Sequence, residues 1–361
     1  MAGRVARRAL LTTLTILSIA VISLFAFDGF VPFLSAQTQL PPAEYNWKKV
    51  CDRALAVPLR APTFARIRSE KWLRQCNSEA LYYGFMARPD FSDALQCAFY
   101  ERANPEPSIG DPFYGPGVLM MLYANGKGVP RDYNVAIRFA CENTWAADAE
   151  MEYRVGRLEH LRDIHAVTTH FDLCDDGTSG LAEGACASVQ ENFADAKRTK
   201  QLRDISDGWP ANVRAAFATL EKAEDAFVNA RIENEVDLSG TGRAAFQLEE
   251  EGVLKDQFLI NLNRFAKGDV PSVSTSDYWG LQQTLERVYG EIQSSSDSAW
   301  QFGTVKPAGI RTTEGAWLAL LEAWAAFGRM NYPHLSTDRI RGQITRLRIH
   351  QLQSLIKEMA E

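Results

Sequence analysis

The six cysteines are the residues whose type points most directly to a chemistry. An even number of cysteines in an exported chain favours disulfides over zinc binding, and none lies beside a histidine in a recognisable catalytic-thiol signature. The Gly-rich stretch CDDGTSGLAEGAC predicts that Cys174 pairs with Cys186. The other four allow three connectivities, of which we favour Cys51–Cys76 and Cys97–Cys141, because each would join neighbouring helices. The predicted disulfide cysteines are Cys51, Cys76, Cys97, Cys141, Cys174 and Cys186.

Three histidines at intervals of five residues, His160, His165 and His170, suggest a metal site before Cys174. Residues five apart on a helix lie about 140° from one another, whereas ligands on one helix face are three or four apart. We therefore expect no metal site. The glycine-rich SGTGR at 239–243 lacks phosphate-loop spacing and follows no strand, which predicts a helix-connecting turn and no cofactor.

The acidic segments ENEVD at 233–237 and LEEE at 248–251 are the candidates for paired carboxylates of a cell-wall glycosidase. Their charge runs are typical of solvated faces, and no G-x-S-x-G or H-E-x-x-H motif occurs. The sequence therefore predicts binding rather than catalysis, with a cell-wall hydrolase as the third alternative.

An aromatic helix supplies the candidate partner-binding residues. Trp317, Trp324 and Phe327 share one helix face, with Tyr332 after them. Core packing is the first interpretation of this set, and an exposed anchor is the second, because Trp and Tyr are over-represented at binding hot spots. Glu322 lies on the same helix, two residues before Trp324. The candidate site is therefore Trp317, Glu322 and Trp324.

The first 36 residues have the pattern of an export signal. The basic MAGRVARR precedes an uncharged stretch at 9–27, and Leu34-Ser35-Ala36 offers a cleavage site. The apolar stretch is also long enough to remain as a membrane anchor. Both outcomes place residues 37–361 in the periplasm or outside the cell. The net charge of −6, with no compensating basic stretch, argues against nucleic acid as a partner.

The length of 361 residues suggests a lead segment and two domains, and both domains are predicted to be all-α. In the first domain, at 45–165, LMMLYANGKGVPRDYNVAIRFAC predicts a helical hairpin. Glycines can end its first helix, an aspartate can cap the second, and two alanines four apart leave space for a neighbouring helix. The motif residues are Leu122, Tyr123, Gly126, Gly128, Val129, Asp132, Ala136 and Ala140. This pattern resembles the Sel-one-like repeat, a relative of the tetratricopeptide hairpin.

The second domain, at 170–361, shows an internal repeat at an offset of 100, over about 205–266 and 305–358. Helices are expected at 213–231, 309–330 and 337–358. The region resembles the LprI-type lysozyme inhibitor family through its opening cysteines, LERVY at 285–289, Ala316-Trp317-Leu318, and the final-helix residues Thr345, Arg348 and Leu352. Glu314-Gly315 and Leu321-Glu322 depart from that family's pattern.

The LprI-type resemblance implies an extracytoplasmic protein that binds a basic lysozyme, to which an acidic chain would be attracted electrostatically. The alternative is a scaffold that uses the helical repeats to assemble envelope proteins.

Overall fold

The structure, a computed structural model, describes residues 45–360 except positions 61, 65, 86, 106–109, 144, 297–299, 301 and 302. These residues form thirteen α-helices and one 3₁₀ helix, with no strand among them, which confirms the all-α prediction. The predicted signal or anchor at 1–36 lies outside them. No helix in the described part combines the length and apolarity needed to cross a bilayer.

The helices follow one another through mostly short connections. Those of the first half are α1 (Trp47–Ala56), α2 (Glu70–Leu73), α3 (Ser78–Tyr83), α4 (Phe91–Ala103), α5 (Pro116–Asn125), α6 (Tyr133–Glu142) and α7 (Asp148–Asp163), followed by the 3₁₀ helix (Leu173–Asp175). Those of the second half are α8 (Gly180–Ser206), α9 (Ala211–Asn234), α10 (Arg243–Lys267), α11 (Thr275–Ser294), α12 (Pro307–Asn331) and α13 (Thr337–Ala360). The predicted helices at 213–231, 309–330 and 337–358 are found as α9, α12 and α13.

Two hydrophobic cores hold these helices. The first is built mainly from α4 to α7 and extends through Phe171 and Leu173 to Val189 of α8. The second is built from α9 to α13, and Leu202 near the end of α8 packs against it. The 27 residues of α8, about 40 Å of helix, therefore contact both cores. The division of domains near residue 170 remains a prediction.

The α5–α6 hairpin forms through the local signals of its sequence. Gly126 ends α5 at φ +65°, and Gly128 has φ +70° with its α-carbon so close to α4 that a Cβ would lie 2.6 Å from the Phe91 carbonyl oxygen. Both positions therefore require glycine. The Asp132 carboxylate accepts hydrogen bonds from the first turn of α6, and Ala136 and Ala140 are fully buried.

The disulfides confirm the pairing of Cys174 with Cys186 and correct the other two. The structure joins Cys51 to Cys141 and Cys76 to Cys97, so the favoured pairings Cys51–Cys76 and Cys97–Cys141 were wrong. The reason is tertiary packing, because α1 lies against α6 rather than against the helices that follow it directly. Three disulfides and no free cysteine indicate an oxidising compartment outside the cytoplasm.

Not every glycine between Cys174 and Cys186 lies in a turn. Gly180 and Gly184 are helical residues of α8, and they let α8 approach the start of α10. A Cβ on Gly180 would lie 2.0 Å from the Thr241 carbonyl oxygen, and one on Gly184 would lie 2.9 Å from Ala244 Cβ. The Cys174–Cys186 bond consequently staples the 3₁₀ helix to the first half of α8, beside the first core.

A buried cluster of charges crosses the second core. Arg348 of α13 is fully buried and donates to both carboxylate oxygens of Glu235, at 2.6 and 2.9 Å, and to Glu314 of α12 at 2.9 Å. Arg231 of α9 donates to Glu235 at 2.7 Å and also pairs with Glu250. Burial raises the pKa of Glu314, and Arg348 opposes that rise. Arg348 thus ties α9, α12 and α13 together.

Candidate functional site

A well-formed groove of the first half lies between α1, the segment after it, α6 and α7. Its volume is about 700 Å³. The apolar part of its lining is Val50, Ala54, Val57, Leu59, Tyr123, Val135 and Ile137. Sites of this size with an apolar lining and a few polar groups are typical of ligand binding.

The walls of this groove, which we call the α1–α6 groove, are fixed covalently and by hydrogen bonds. The Cys51–Cys141 disulfide holds α1 against α6 with their Cα atoms 5.3 Å apart. Arg138 of α6 donates to the carbonyl oxygens of Ala54 at 3.2 Å and Leu55 at 3.0 Å at the end of α1, where helix carbonyl groups have few intrahelical partners. The groove is therefore preformed rather than created by a ligand.

Most charges in the α1–α6 groove already have partners. The Tyr45 hydroxyl and Arg162 both donate to Glu159, at 3.0 and 3.2 Å, and burial beside this carboxylate raises the pKa of Tyr45. Arg138 also pairs with Glu142 at 3.0 Å, and Asp132 is occupied as the cap of α6.

Two arginines of the groove remain without partners. Arg53 in the last turn of α1 and Arg60 after it are exposed and have no hydrogen bond or ion pair to any described residue. The groove therefore presents two uncommitted positive charges beside an apolar lining. This arrangement suits a ligand that carries carboxylates together with apolar groups.

Only part of the hairpin motif reaches this groove. Tyr123 and Asp132 line it, whereas Leu122, Ala136 and Ala140 are fully buried and serve packing. No sequence pattern marks the two arginines, because an exposed arginine near a helix end is common and has no distinctive spacing.

The candidate partner-binding residues on α12 do not form one surface. Trp317 and Trp324 are each 1% exposed, with Phe327 and Tyr332 buried beside them, so the exposed-anchor interpretation was wrong and the core interpretation was right. The Trp324 ring packs against Phe258 and Phe265 of α10, with centroids 5.2 Å apart in both pairs.

Glu322 lies on the opposite, solvent-facing side of α12. Its side chain is 62% exposed and accepts hydrogen bonds from Arg341 of α13 at 2.6 and 2.8 Å. Glu322 is therefore a neutralised surface charge, separated from the two tryptophans by the helix itself.

Two groups of three potential metal-ligating side chains occur in the described part of the chain, and neither contains a histidine. One includes Cys76 and Cys97, which form a disulfide. The other consists of Glu191, Asp195 and Glu251. These carboxylates already bind a cation of the protein, because Lys255 Nζ lies 2.6 to 3.6 Å from all three. In SGTGR at 239–243, residues 239–242 lie between α9 and α10, and Arg243 is the first residue of α10.

No protein-family model, curated protein or solved structure matches this chain. The resemblances to Sel-one-like repeats and to the LprI-type family therefore remain predictions, and function has to be argued from the site itself.

Proposed function

We propose that this protein is an extracytoplasmic binding protein, and that its α1–α6 groove takes an acidic, partly apolar segment of a protein partner. The observation that carries the proposal is the pair of unpartnered arginines, Arg53 and Arg60. They lie beside the apolar lining of a groove whose volume is about 700 Å³. This function corresponds to the scaffold alternative drawn from the sequence.

Charge complementarity favours an acidic partner at this groove. Four arginines and only two carboxylates line it, although the whole chain carries a net charge of −6. The groove is therefore a local positive region on an acidic protein, and such regions steer partners of opposite charge and select against like charge.

Binding of defined peptides to the full-length protein tests this proposal. Fluorescent peptides that combine glutamate with leucine, lysine with leucine, or glutamate with glycine separate the need for negative charge from the need for apolar groups. We expect the glutamate–leucine peptide to bind best in fluorescence anisotropy, and added salt to weaken it.

Charge reversal supplies the specific variant and its matched control. The double substitution Arg53→Glu and Arg60→Glu should weaken the glutamate–leucine peptide at least tenfold. Arg88→Glu with Arg203→Glu makes the same change in net charge at two exposed arginines outside the groove and should leave binding unchanged. Equal weakening in both double variants, or equal binding of the lysine–leucine peptide, would refute the assignment of the site.

The lysozyme-inhibitor expectation needs a separate assay. Two of its three proposed binding residues, Trp317 and Trp324, are buried, so this expectation depends on the resemblance and on the exposed Glu322. Peptidoglycan clearing by lysozymes of several classes, with and without the full-length protein, measures inhibition directly. Inhibition that survives reversal of Arg53 and Arg60 would favour that function over the groove-based one.

A further inference from the structure

A second cavity, of about 450 Å³, lies between α8, α9 and α10. Part of its wall is apolar, from Leu202, Phe258 and Leu259. The carboxylates that line it are Asp195, Glu221, Glu224 and Asp225. This cavity, which we call the acidic cavity, is remote in sequence from the α1–α6 groove and differs from it in charge.

Glu224 is the unusual member of the lining. Its residue is 8% exposed, and its carboxylate has no hydrogen-bond or ion-pair partner among the described residues. It lines both the acidic cavity and a second, smaller cavity of about 30 Å³ between α9, α10, α12 and α13. Burial raises the pKa of Glu224 to about 8, with the neighbouring charge of Asp225 as the second cause. A buried carboxylate without a partner is unfavourable when ionised.

The cations around the acidic cavity are committed elsewhere. Arg198 of α8 is bound to Glu191 at 2.8 Å and to Asp195 and Asp256 at 3.1 Å. Lys255 of α10 is likewise held by three carboxylates.

The two other cations near Glu224 are also directed away from it. Lys222 is two residues from Glu224 on the same helix, and side chains at that spacing do not face each other. Arg348, which lines the smaller cavity, is bound by Glu235 and Glu314. The described residues therefore supply no counterion for Glu224.

We propose that the acidic cavity binds an aliphatic ammonium group, with the Glu224 carboxylate as its counterion and the apolar wall against its methylene stem. An ammonium group is compact and carries three donors, so it can reach a single carboxylate at the base of an apolar-walled cavity. The ligand is either a lysine side chain of a protein or a small free alkylamine. This inference does not depend on the proposed function of the α1–α6 groove.

Proton release accompanies this binding. At pH 7 Glu224 is mostly protonated in the free protein, and an ammonium ion stabilises the carboxylate, so its proton passes to the solvent. Affinity should consequently rise with pH up to about pH 8. The charged groups facing this region are Asp195 and Arg198 of α8, Glu221, Lys222 and Asp225 of α9, Lys255 of α10 and Arg348 of α13.

Calorimetric titration of the full-length protein with butylammonium, and with butanol as the neutral analogue, tests the proposal. We expect butylammonium to bind at millimolar concentration or better and butanol not to bind. Titration in buffers of different ionisation enthalpy should show close to one proton released at pH 7. A tripeptide with lysine between two glycines, blocked at both ends, distinguishes the two possible ligands. Binding of this peptide favours a lysine side chain of a protein, whereas binding of butylammonium but not of the peptide favours a free alkylamine.

Three variants complete the test. Glu224→Gln should reduce affinity at least tenfold and abolish proton release, whereas Asp204→Asn, at an exposed carboxylate outside the cavity, should change neither. Ala218→Trp blocks the cavity from its exposed rim, keeps Glu224, and should also abolish binding. Absence of butylammonium binding, equal affinity in Glu224→Gln, or binding without proton release would overturn the proposal.

Discussion

Replacing Arg348 by methionine should cost far more folding free energy than replacing Arg341, although both arginines join α13 to a glutamate of α12. Arg348 is fully buried between Glu235 and Glu314. Its removal leaves both carboxylates without that cation in the core, and breaking such a buried pair costs about 3–5 kcal/mol. Methionine keeps a long unbranched side chain. The loss of stability therefore reflects the missing positive charge more than a change in side-chain volume.

Arg341 provides the matched control on the same pair of helices. Its partner Glu322 is 62% exposed, and exposed pairs contribute roughly 0–1 kcal/mol. Urea unfolding monitored by hydrogen exchange in α9, α12 and α13 gives the free energy of unfolding for each variant. A double-mutant cycle of Arg348→Met with Glu235→Gln should show strong coupling between these positions, because the double variant no longer leaves Glu235 ionised and short of a partner.

One result would contradict this role of Arg348. If Arg348→Met and Arg341→Met lower the free energy of unfolding by amounts within about 0.5 kcal/mol of each other, the buried cluster does not stabilise the second core as described.

Two further perturbations follow from the disulfides and from Glu224. Replacing Cys51 and Cys141 by serine opens a loop of sequence separation 90 and should cost about 4–5 kcal/mol, against about 3 kcal/mol for Cys174 and Cys186 at a separation of 12. Urea unfolding should show that both disulfide variants lose stability in the first core. A loss of stability confined to α9–α13 would contradict this. The pKa of Glu224 is raised in the folded state, so its contribution to stability is full below about pH 4.5 and is lost as the pH rises through about 8. Glu224→Gln should therefore stabilise the protein by about 3 kcal/mol at pH 7 and by almost nothing at pH 4. A difference in free energy of unfolding between the variant and the original protein that does not vary with pH would contradict this prediction.

Local features were predictable from the sequence because their causes are local. The apolar spacing of α9 and α12 sets the faces that enter the core, and Gly126 and Asp132 end and begin helices through their own backbone and side-chain geometry. The disulfide connectivity was not predictable in this way. It depends on α1 packing against α6, and no residue near Cys51 specifies that neighbour.

The positions of the buried charged residues Glu224 and Arg348 are marked in the sequence by the apolar residues around them. Glu224 follows Leu220 by four residues and precedes Phe227 by three, so it occupies a position on the apolar face of α9. Arg348 stands in the same way between Ile344 and Leu352 on α13. A charge at an apolar position of an amphipathic helix predicts either a buried ion pair or an unsatisfied group, and only the tertiary structure distinguishes the two.

The location of all three disulfides divides the maturation of this chain into two steps. The cysteines belong to the first core or lie beside it, whereas α9 to α13 contain none. The second half can thus reach its final stability without an oxidant, while the first half reaches it only after oxidation. Because α8 contacts both cores, the second core can hold its C-terminal turns in place before the Cys174–Cys186 bond secures its N-terminal turns.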